Sequence, residues 1–250
     1  MAESRPNPLR LSIIVPTLNE AAAIVPALEH LRGRLAKLED EAEVIVADGG
    51  SSDGTPEMAA ALARVVEAPR GRAKQLNAGA RAAAPEEGGT RGAEHDPGDW
   101  LLFLHADTRL PSGFIEDIRR ARDRGFSAGA FRLRIVGSHP LLPLLAWGAN
   151  LRTQLRSVAL GDQALFCTRA LFEQQRGFPD LPILEDYVFT LTLRRAGIPL
   201  FLARRAVETS GRRWDERGFW RTWWQFRTIY RRFHREHDLK SLGEGYEEVR

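Results

Sequence analysis

The stretch Trp100-Leu-Leu-Phe-Leu-His105-Ala-Asp107-Thr-Arg-Leu-Pro111 constrains this chain most. An apolar run without alternation that stops at a polar triplet reads as a strand buried on both faces, and such strands belong to parallel sheets covered by helices. In an open α/β sheet the carboxyl end of such a strand is where ligands bind. Alternate residues of an extended chain face the same way, so His105 and Asp107 are expected to share one divalent ion. Taken alone, the triplet also fits a plain turn before a helix.

The preceding segments repeat the pattern. Leu11 to Pro16 reads as a short buried strand, Asn19 as the N-cap of a helix, and Ile24, Leu28, Leu31 and Leu35 as its apolar stripe. Pro26 predicts a kink or a later start. The turn Thr17-Leu-Asn-Glu20 lacks the glycines of a dinucleotide fingerprint, which argues against a nicotinamide enzyme. Glu43 to Asp48 is a second strand, followed by Gly49-Gly-Ser-Ser-Asp53-Gly-Thr55-Pro56, with Thr55 as N-cap and Pro56 at the first helical position. Asp48 closes a buried strand, where an unpaired charge is costly and the N–H edge of a base would satisfy it. After a third strand at Arg64 to Glu67, the cations Arg70, Arg72 and Lys74 crowd a helix N-terminus, a natural place for phosphate; a solvated basic turn is the competing reading. The polar segment between Ala84 and Asp99 reads as a mobile insertion.

At 250 residues, 43% hydrophobic and 28% charged, the chain can build one principal globular domain. Its single cysteine, Cys167, excludes an internal disulfide and a multi-cysteine zinc site. No apolar run approaches the roughly 20 residues needed to cross a bilayer, and Met1 to Arg10 lacks the apolar core of a signal peptide. The expected address is the cytoplasm. A formal charge of only +3 gives no support to nucleic-acid binding.

In the second half, Pro111 to Arg124 reads as a helix ended by Gly125, and Ser127 to Val136 as a strand with Phe131, Leu133 and Ile135 on one face. The proline-broken run from His139 to Gly148 is core or a lipid-touching surface, with core favoured. Asp180 and Pro182 mark the start of a helix whose stripe is Leu184, Val188 and Leu191, which turns Asp186 away from the core. From Phe219 to Phe233 large aromatics alternate with arginines. An amphipathic helix with Trp and Phe on one face and Arg on the other suits an anionic membrane interface; packing on the main domain is the equal alternative.

Ile13-Ile-Val-Pro-Thr-Leu-Asn-Glu20, Val46-Ala-Asp-Gly-Gly-Ser-Ser-Asp-Gly-Thr55, Lys74-Gln-Leu-Asn77-Ala-Gly79 and Leu101-Leu-Phe-Leu-His-Ala-Asp107 resemble, in order and spacing, glycosyltransferase family 2. The resemblance implies a GT-A fold, a nucleotide-sugar donor, Mg²⁺ or Mn²⁺, and transfer with inversion. It places Pro16, Thr17, Glu20, Asp48, Arg72, Lys74 and Ala106 around the donor and Asp107 on the metal. His105 stands where the family usually has the first Asp of a D-x-D triplet, and imidazole suits Mn²⁺ better than Mg²⁺. Glu185-Asp186 matches the family's Glu-Asp pair, with Asp186 as general base. Asp162 and Gln163 fall where the family borders its acceptor site. Ser210-Gly-Arg-Arg213-Trp214 resembles the Q-x-x-R-W signature with Ser for Gln, which puts Arg213 and Trp214 near acceptor or diphosphate. His-Ala-Asp, Gly-Asp-Gln and Arg-Arg-Trp together are similar to a bacterial subgroup labelled as arsenosugar-biosynthesis glycosyltransferases.

The expected architecture is therefore α/β, a doubly wound and mostly parallel sheet flanked by helices. Residues 1–10 form a tail, 11–210 the GT-A domain, and 211–250 an Arg/Trp-rich helical segment. The expected activity is metal-assisted transfer from a nucleotide sugar, taken as UDP-linked, to a hydroxyl acceptor. The rival readings are a sugar nucleotidyltransferase-like enzyme and a non-catalytic basic module that binds membrane at 219–235.

Overall fold

The computed structural model describes residues 9–36, 41–83 and 99–235. The expected insertion at 84–98, most of the tail, and residues 236–250 lie outside the described residues. In chain order the elements are β1 (Arg10–Thr17), α1 (Ala21–Leu35), β2 (Glu41–Asp48), α2 (Thr55–Ala60), β3 (Arg64–Glu67), α3 (Arg72–Ala82), β4 (Asp99–Phe103), β5 (Thr108–Arg109) and α4 (Phe114–Asp123). They continue with β6 (Ala128–Val136), α5 (Leu142–Arg156), a 3₁₀ turn at Gly161–Gln163, β7 (Phe166–Thr168), α6 (Arg169–Gln174), α7 (Glu185–Arg195), β8 (Phe201–Ser210), α8 (Arg212–Arg217) and α9 (Phe219–Arg235).

The strands form one sheet in the order β3-β2-β1-β4-β7-β6-β8-β5. β3, β2, β1 and β4 are parallel, so their carboxyl ends share an edge, and β7 runs antiparallel between β4 and β6. Both sheet faces are apolar because neighbouring residues of each central strand point opposite ways. Ile13, Val15, Trp100 and Leu102 join Ile24, Leu28, Phe114 and Ile118 of α1 and α4 on one side. Ile14, Leu101 and Phe103 join Leu76, Phe172, Phe189 and Leu193 of α3, α6 and α7 on the other.

Several local expectations are corrected. Asn19 has φ 56° and lies outside α1, which starts at Ala21 and carries Pro26 within it. Its first N–H groups are capped from the next loop: Ala21 N–H donates to Asp53 Oδ2 at 2.9 Å and Glu20 N–H to Thr55 Oγ1 at 2.9 Å. Likewise Thr55 opens α2 from within, preceded by Gly54 at φ 87°. The run at His139 is not core throughout: α5 buries Leu142 and Ala146 but leaves Leu144 60% and Trp147 61% exposed. α7 starts only at Glu185, because Leu184 sits at φ 66°, and its buried face is Glu185, Asp186, Phe189, Thr190 and Leu193. The acidic pair is thus turned inward, where partners await it. Residues 211–235 pack on the sheet domain: Ile229, Tyr230 and Phe233 of α9 cover Ile183, Leu184 and Tyr187.

Gly79 lets α3 lie directly on the sheet, since a Cβ there would stand 2.4 Å from Ile14 Cγ2. Gly79→Ala should push the helix off β1 and destabilise the fold by about 1–3 kcal/mol, the usual cost of overpacking a core. Urea denaturation checks this; an unchanged midpoint would show that α3 can shift freely.

Candidate functional site

The carboxyl ends of β1 and β4, the N-terminus of α3 and the loop after β8 surround an open cavity of about 1330 Å³. It brings together Pro16, Thr17, Glu20, Arg72, Lys74, His105, Ala106, Asp107 and Arg213, which sequence reasoning had gathered from four separate segments. Arg70, Arg109 and Arg212 add further positive charge to the walls, and Asp180 and Glu208 add negative. Lys74 Nζ stands 3.6 Å from Asp180 Oδ2.

Asp48 ends β2 but is 4% exposed and already bonded. Its Oδ1 accepts from Thr17 Oγ1 at 3.0 Å and Ser51 Oγ at 2.5 Å; its Oδ2 accepts from the N–H groups of Gly50 at 3.0 Å and Ser51 at 2.8 Å. The carboxylate therefore shapes the loop that follows it and needs no base to be satisfied. Gln75 does related work that the sequence did not signal. From α3, its Nε2 donates to the carbonyls of Thr17 and Ala47, at 2.5 Å and 3.2 Å, and so clamps the ends of β1 and β2 together.

His105 and Asp107 are not alternate residues of an extended strand, which corrects the reason given for pairing them. Thr108 N–H donates to His105 O at 3.0 Å and closes a turn over Ala106 and Asp107. Asp107 is exposed at the cavity, whereas His105 is half-buried and reaches Gly161. A Cβ at Gly161 would meet His105 Nε2 at 2.8 Å and Asp186 Oδ2 at 2.9 Å, so a side chain there would displace one or both groups. Burial, followed by the nearby Arg72 charge, pulls the imidazole pKa down to about 4 and keeps it neutral at pH 7. No group of three His, Cys, Asp or Glu side chains converges as a metal cage among the described residues. Asp107 still fits a divalent ion of the kind that one carboxylate and the substrate's phosphates hold between them, because its carboxylate faces an open, cation-lined cavity.

Behind His105 lie Glu185, Asp186 and Asp162. Glu185 is 1% exposed and grips Arg72 through both carboxylate oxygens, with Arg72 Nη2 donating to Oε2 at 3.2 Å. Burial raises the Glu185 pKa, and the Arg72 charge opposes the shift. Asp186 Oδ2 accepts from Gly161 N–H at 2.6 Å and stands 3.7 Å from Arg72 Nη2. Asp162 Oδ1 is buried with no partner among the described residues, and burial pushes its carboxyl up to about 6. Gln163 is a scaffold residue: Oε1 accepts from Thr153 Oγ1 at 2.9 Å and Nε2 donates to Phe131 O at 3.2 Å. Trp214 is turned to α9, 5.4 Å from Phe219 and 5.9 Å from Phe226 by ring centroids.

Comparison with known proteins gives a consistent picture. Residues 12–172 match the family model described as Glycosyl transferase family 2. The chain is 36% identical over 143 residues to the succinoglycan biosynthesis protein ExoA of Rhizobium meliloti, a match over 55% of this chain and 40% of that protein. It is 40% identical over 62 residues to the low-salt glycan biosynthesis hexosyltransferase Agl6 of Haloferax volcanii, over 25% of this chain and 15% of that protein. The chain thus spans less than half the length of these curated relatives. Among solved structures it resembles a Pyrobaculum calidifontis mannosyltransferase in complex with GDP-Man and Mn²⁺, with TM-score 0.66 and 21% identity over 95% of this chain and 67% of that one. S. aureus TarS in complex with UDP-GlcNAc follows at TM-score 0.56 and 18% identity, over 81% and 56% of the two chains.

The buried carboxyl of Asp162 makes a testable contribution to stability. The unfolded carboxyl ionises near 3.9 while the folded one keeps its proton to about 6, so the native state binds more protons in between and loses stability as pH rises through that window. Asp162→Asn should therefore stabilise the protein by about 2–3 kcal/mol above pH 6, at roughly 1.4 kcal/mol per pKa unit, with the gain vanishing towards pH 4. Urea midpoints of both proteins from pH 4 to 7.5 measure it, and a gain independent of pH would remove the buried-carboxyl account.

Proposed function

The chain belongs to glycosyl transferase family 2 and has the GT-A fold, and from that premise we propose that it moves a hexose, with inversion, from a UDP-linked sugar to a hydroxyl acceptor. One observation carries the reading: the cavity at the shared strand edge sets Asp107 among arginines, and Asp186 lies just behind it on Gly161. The nucleotide-sugar and Mn²⁺ complexes of the structural neighbours support the donor class and the metal.

In this reading Pro16, Thr17, Glu20 and Ala106 take the nucleoside end of the donor. Arg72, Lys74 and Arg213 face the diphosphate and offset its charge as it departs. Asp107, with the His105 imidazole near it, would hold a divalent ion, to which Mn²⁺ is the better match, and such an ion would supply Lewis-acid stabilisation to the same leaving group. Asp186 accepts the proton of the acceptor hydroxyl as its oxygen attacks the anomeric carbon from the face opposite the diphosphate. Glu185 orients Arg72 through its two-point pair and does not touch the reacting atoms.

Asp186→Asn keeps the bond from Gly161 but cannot take a proton, so turnover should fall by roughly 10²-fold or more while donor affinity holds. Asp107→Ala should abolish the dependence of donor affinity on Mn²⁺. Calorimetry with UDP-glucose and GDP-mannose, with and without Mn²⁺, and steady-state release of nucleotide read both outcomes. Full turnover in Asp186→Asn would reject it as the base, and equal affinity with and without Mn²⁺ in the unmodified protein would reject the metal.

A second proposal concerns location. α9 presents its phenylalanines to the domain, which corrects the expected Trp/Phe face; Trp220 and Trp224, 61% and 54% exposed, stand in solvent among five arginines of a helix without acidic residues. Exposed Trp beside Arg suits the headgroup layer of an anionic membrane, and no described helix is long and apolar enough to cross one. We read the protein as cytoplasmic and peripheral to the inner membrane face. Replacing Trp220 and Trp224 by Ser should release it from phosphatidylglycerol vesicles in sedimentation; equal sedimentation, or none by the unmodified chain, overturns this.

A further inference from the structure

Of the exposed large apolar side chains among the described residues, three lie on α5: Leu144, Trp147 and Leu155 are 60%, 61% and 72% exposed. With half-buried Leu151 they fall within about 80° of helical arc and extend roughly 16 Å along the axis. The buried residues Leu142, Ala146 and Thr153 lie on the opposite side. Gly148 shares the outward side, where an added Cβ would meet nothing within 4 Å. A surface helix normally turns its charged residues to solvent. Here Arg152 and Arg156 stand off the stripe, and the outward face is continuously apolar. Such a face marks a surface that something covers.

The neighbouring helix points to the occupant. α9 starts beside α5, where the His139 ring stacks on Phe219 at 4.3 Å between centroids and Ser138 N–H donates to Asp215 Oδ1 at 3.1 Å. Further along, burial raises the Tyr230 pKa and the Arg152 charge of α5 opposes it, so the two helices stay close towards their carboxyl ends. Trp220, Trp224, Arg227, Arg231 and Arg235 are exposed on one arc of α9. Arg156, Arg221 and Arg232 are exposed as well, and neither helix carries Asp or Glu. The acids of the adjoining α8, Asp215 and Glu216, are engaged by Ser138 and Arg212. A second copy of this chain fits poorly, because a two-fold contact would set these arginines against the same arginines. An anionic leaflet complements them and offers an acyl layer to the stripe. We propose that α5 is a membrane-inserting helix: Leu144, Trp147, Leu151 and Leu155 enter the acyl layer of an anionic bilayer while the arginines of α9 hold its headgroups. This extends the peripheral-membrane reading above from tryptophans in the headgroup layer to a second helix at greater depth, and it does not depend on glycosyl transfer.

The experiment reads depth. Cys167 is buried, so an environment-sensitive dye attached to the thiol of Leu155→Cys reports on α5. The same dye on Met58→Cys is the control, since α2 packs on β2 and β3 at the far end of the sheet. Phosphatidylglycerol vesicles should shift the α5 dye to the blue, acyl-chain spin labels should quench it more than headgroup labels, and the α2 dye should respond to neither. Leu144→Ser combined with Trp147→Ser should lower the vesicle partition coefficient roughly tenfold or more, the scale for withholding large apolar side chains from lipid, with the melting temperature unchanged. If that variant binds like the unmodified chain, or the dye at residue 155 stays in water, α5 does not insert and only α9 remains at the surface. A chain that never binds phosphatidylglycerol vesicles removes both membrane readings. Equal binding to phosphatidylcholine vesicles overturns the match between arginines and anionic lipid. A lipid-free dimer that Leu155→Arg dissociates would assign the stripe to a second copy and overturn the proposal as well.

Discussion

The two-point pair between Arg72 and Glu185 is the interaction on which the site depends. Glu185 is 1% exposed, and a carboxylate that deep needs a full partner to remain charged. Arg72 opens α3 and Glu185 opens α7, so the pair joins two helix N-termini that are 113 residues apart in sequence. Because Glu185 is held, the next residue is held as well. Asp186 can then face Gly161, and Gly161 in turn leaves room for His105 beside it. Removing Arg72 would strand the Glu185 charge in the interior, and the rest of the cluster would have to rearrange.

Around that pair the polar groups divide by how they are satisfied. Asp48 and Gln163 have their bonds inside the protein, and both hold loops in place. Gln75 locks β1 to β2 in the same manner. Asp107 faces the open cavity, while Asp162 and Tyr230 keep one buried polar atom each without a partner. In the proposed transfer the cations of the cavity wall would offset the negative charge of the leaving group.

α9 connects the two ends of this arrangement. Its inner face supplies Tyr230 and the apolar cover over α7; its outer face carries exposed Trp and Arg. One helix thus packs against the start of α7, which carries Asp186, and presents the proposed lipid surface.

Much of the fold was legible in the residues. Short apolar runs ending in Asp48 and in His105-Ala-Asp107 read as strands buried on both faces, as β2 and β4 are, and the stripes at Ile24, Leu28 and Leu31 follow from helical periodicity. Part of the cavity lining was legible too: Pro16, Thr17, Glu20, Arg72, Lys74, Ala106 and Arg213 were named through the family resemblance, while Arg109, Arg212 and Glu208 were not and Asp48 lies outside the lining. What local pattern could not decide was direction and partnership. The spacing of Leu184, Val188 and Leu191 pointed Asp186 to solvent, whereas the Arg72 pair and Gly161 turned it inward at the expense of that stripe. Asn19 lost the capping role to Asp53 and Thr55, whose loop reaches α1 only in the folded chain. Tyr230 carried no signal at all, since a tyrosine in an aromatic helix looks like packing until tertiary structure leaves its hydroxyl without a partner. Periodicity is a property of one segment and can be read from it; charge satisfaction is a property of pairs of segments, and only the fold brings those together.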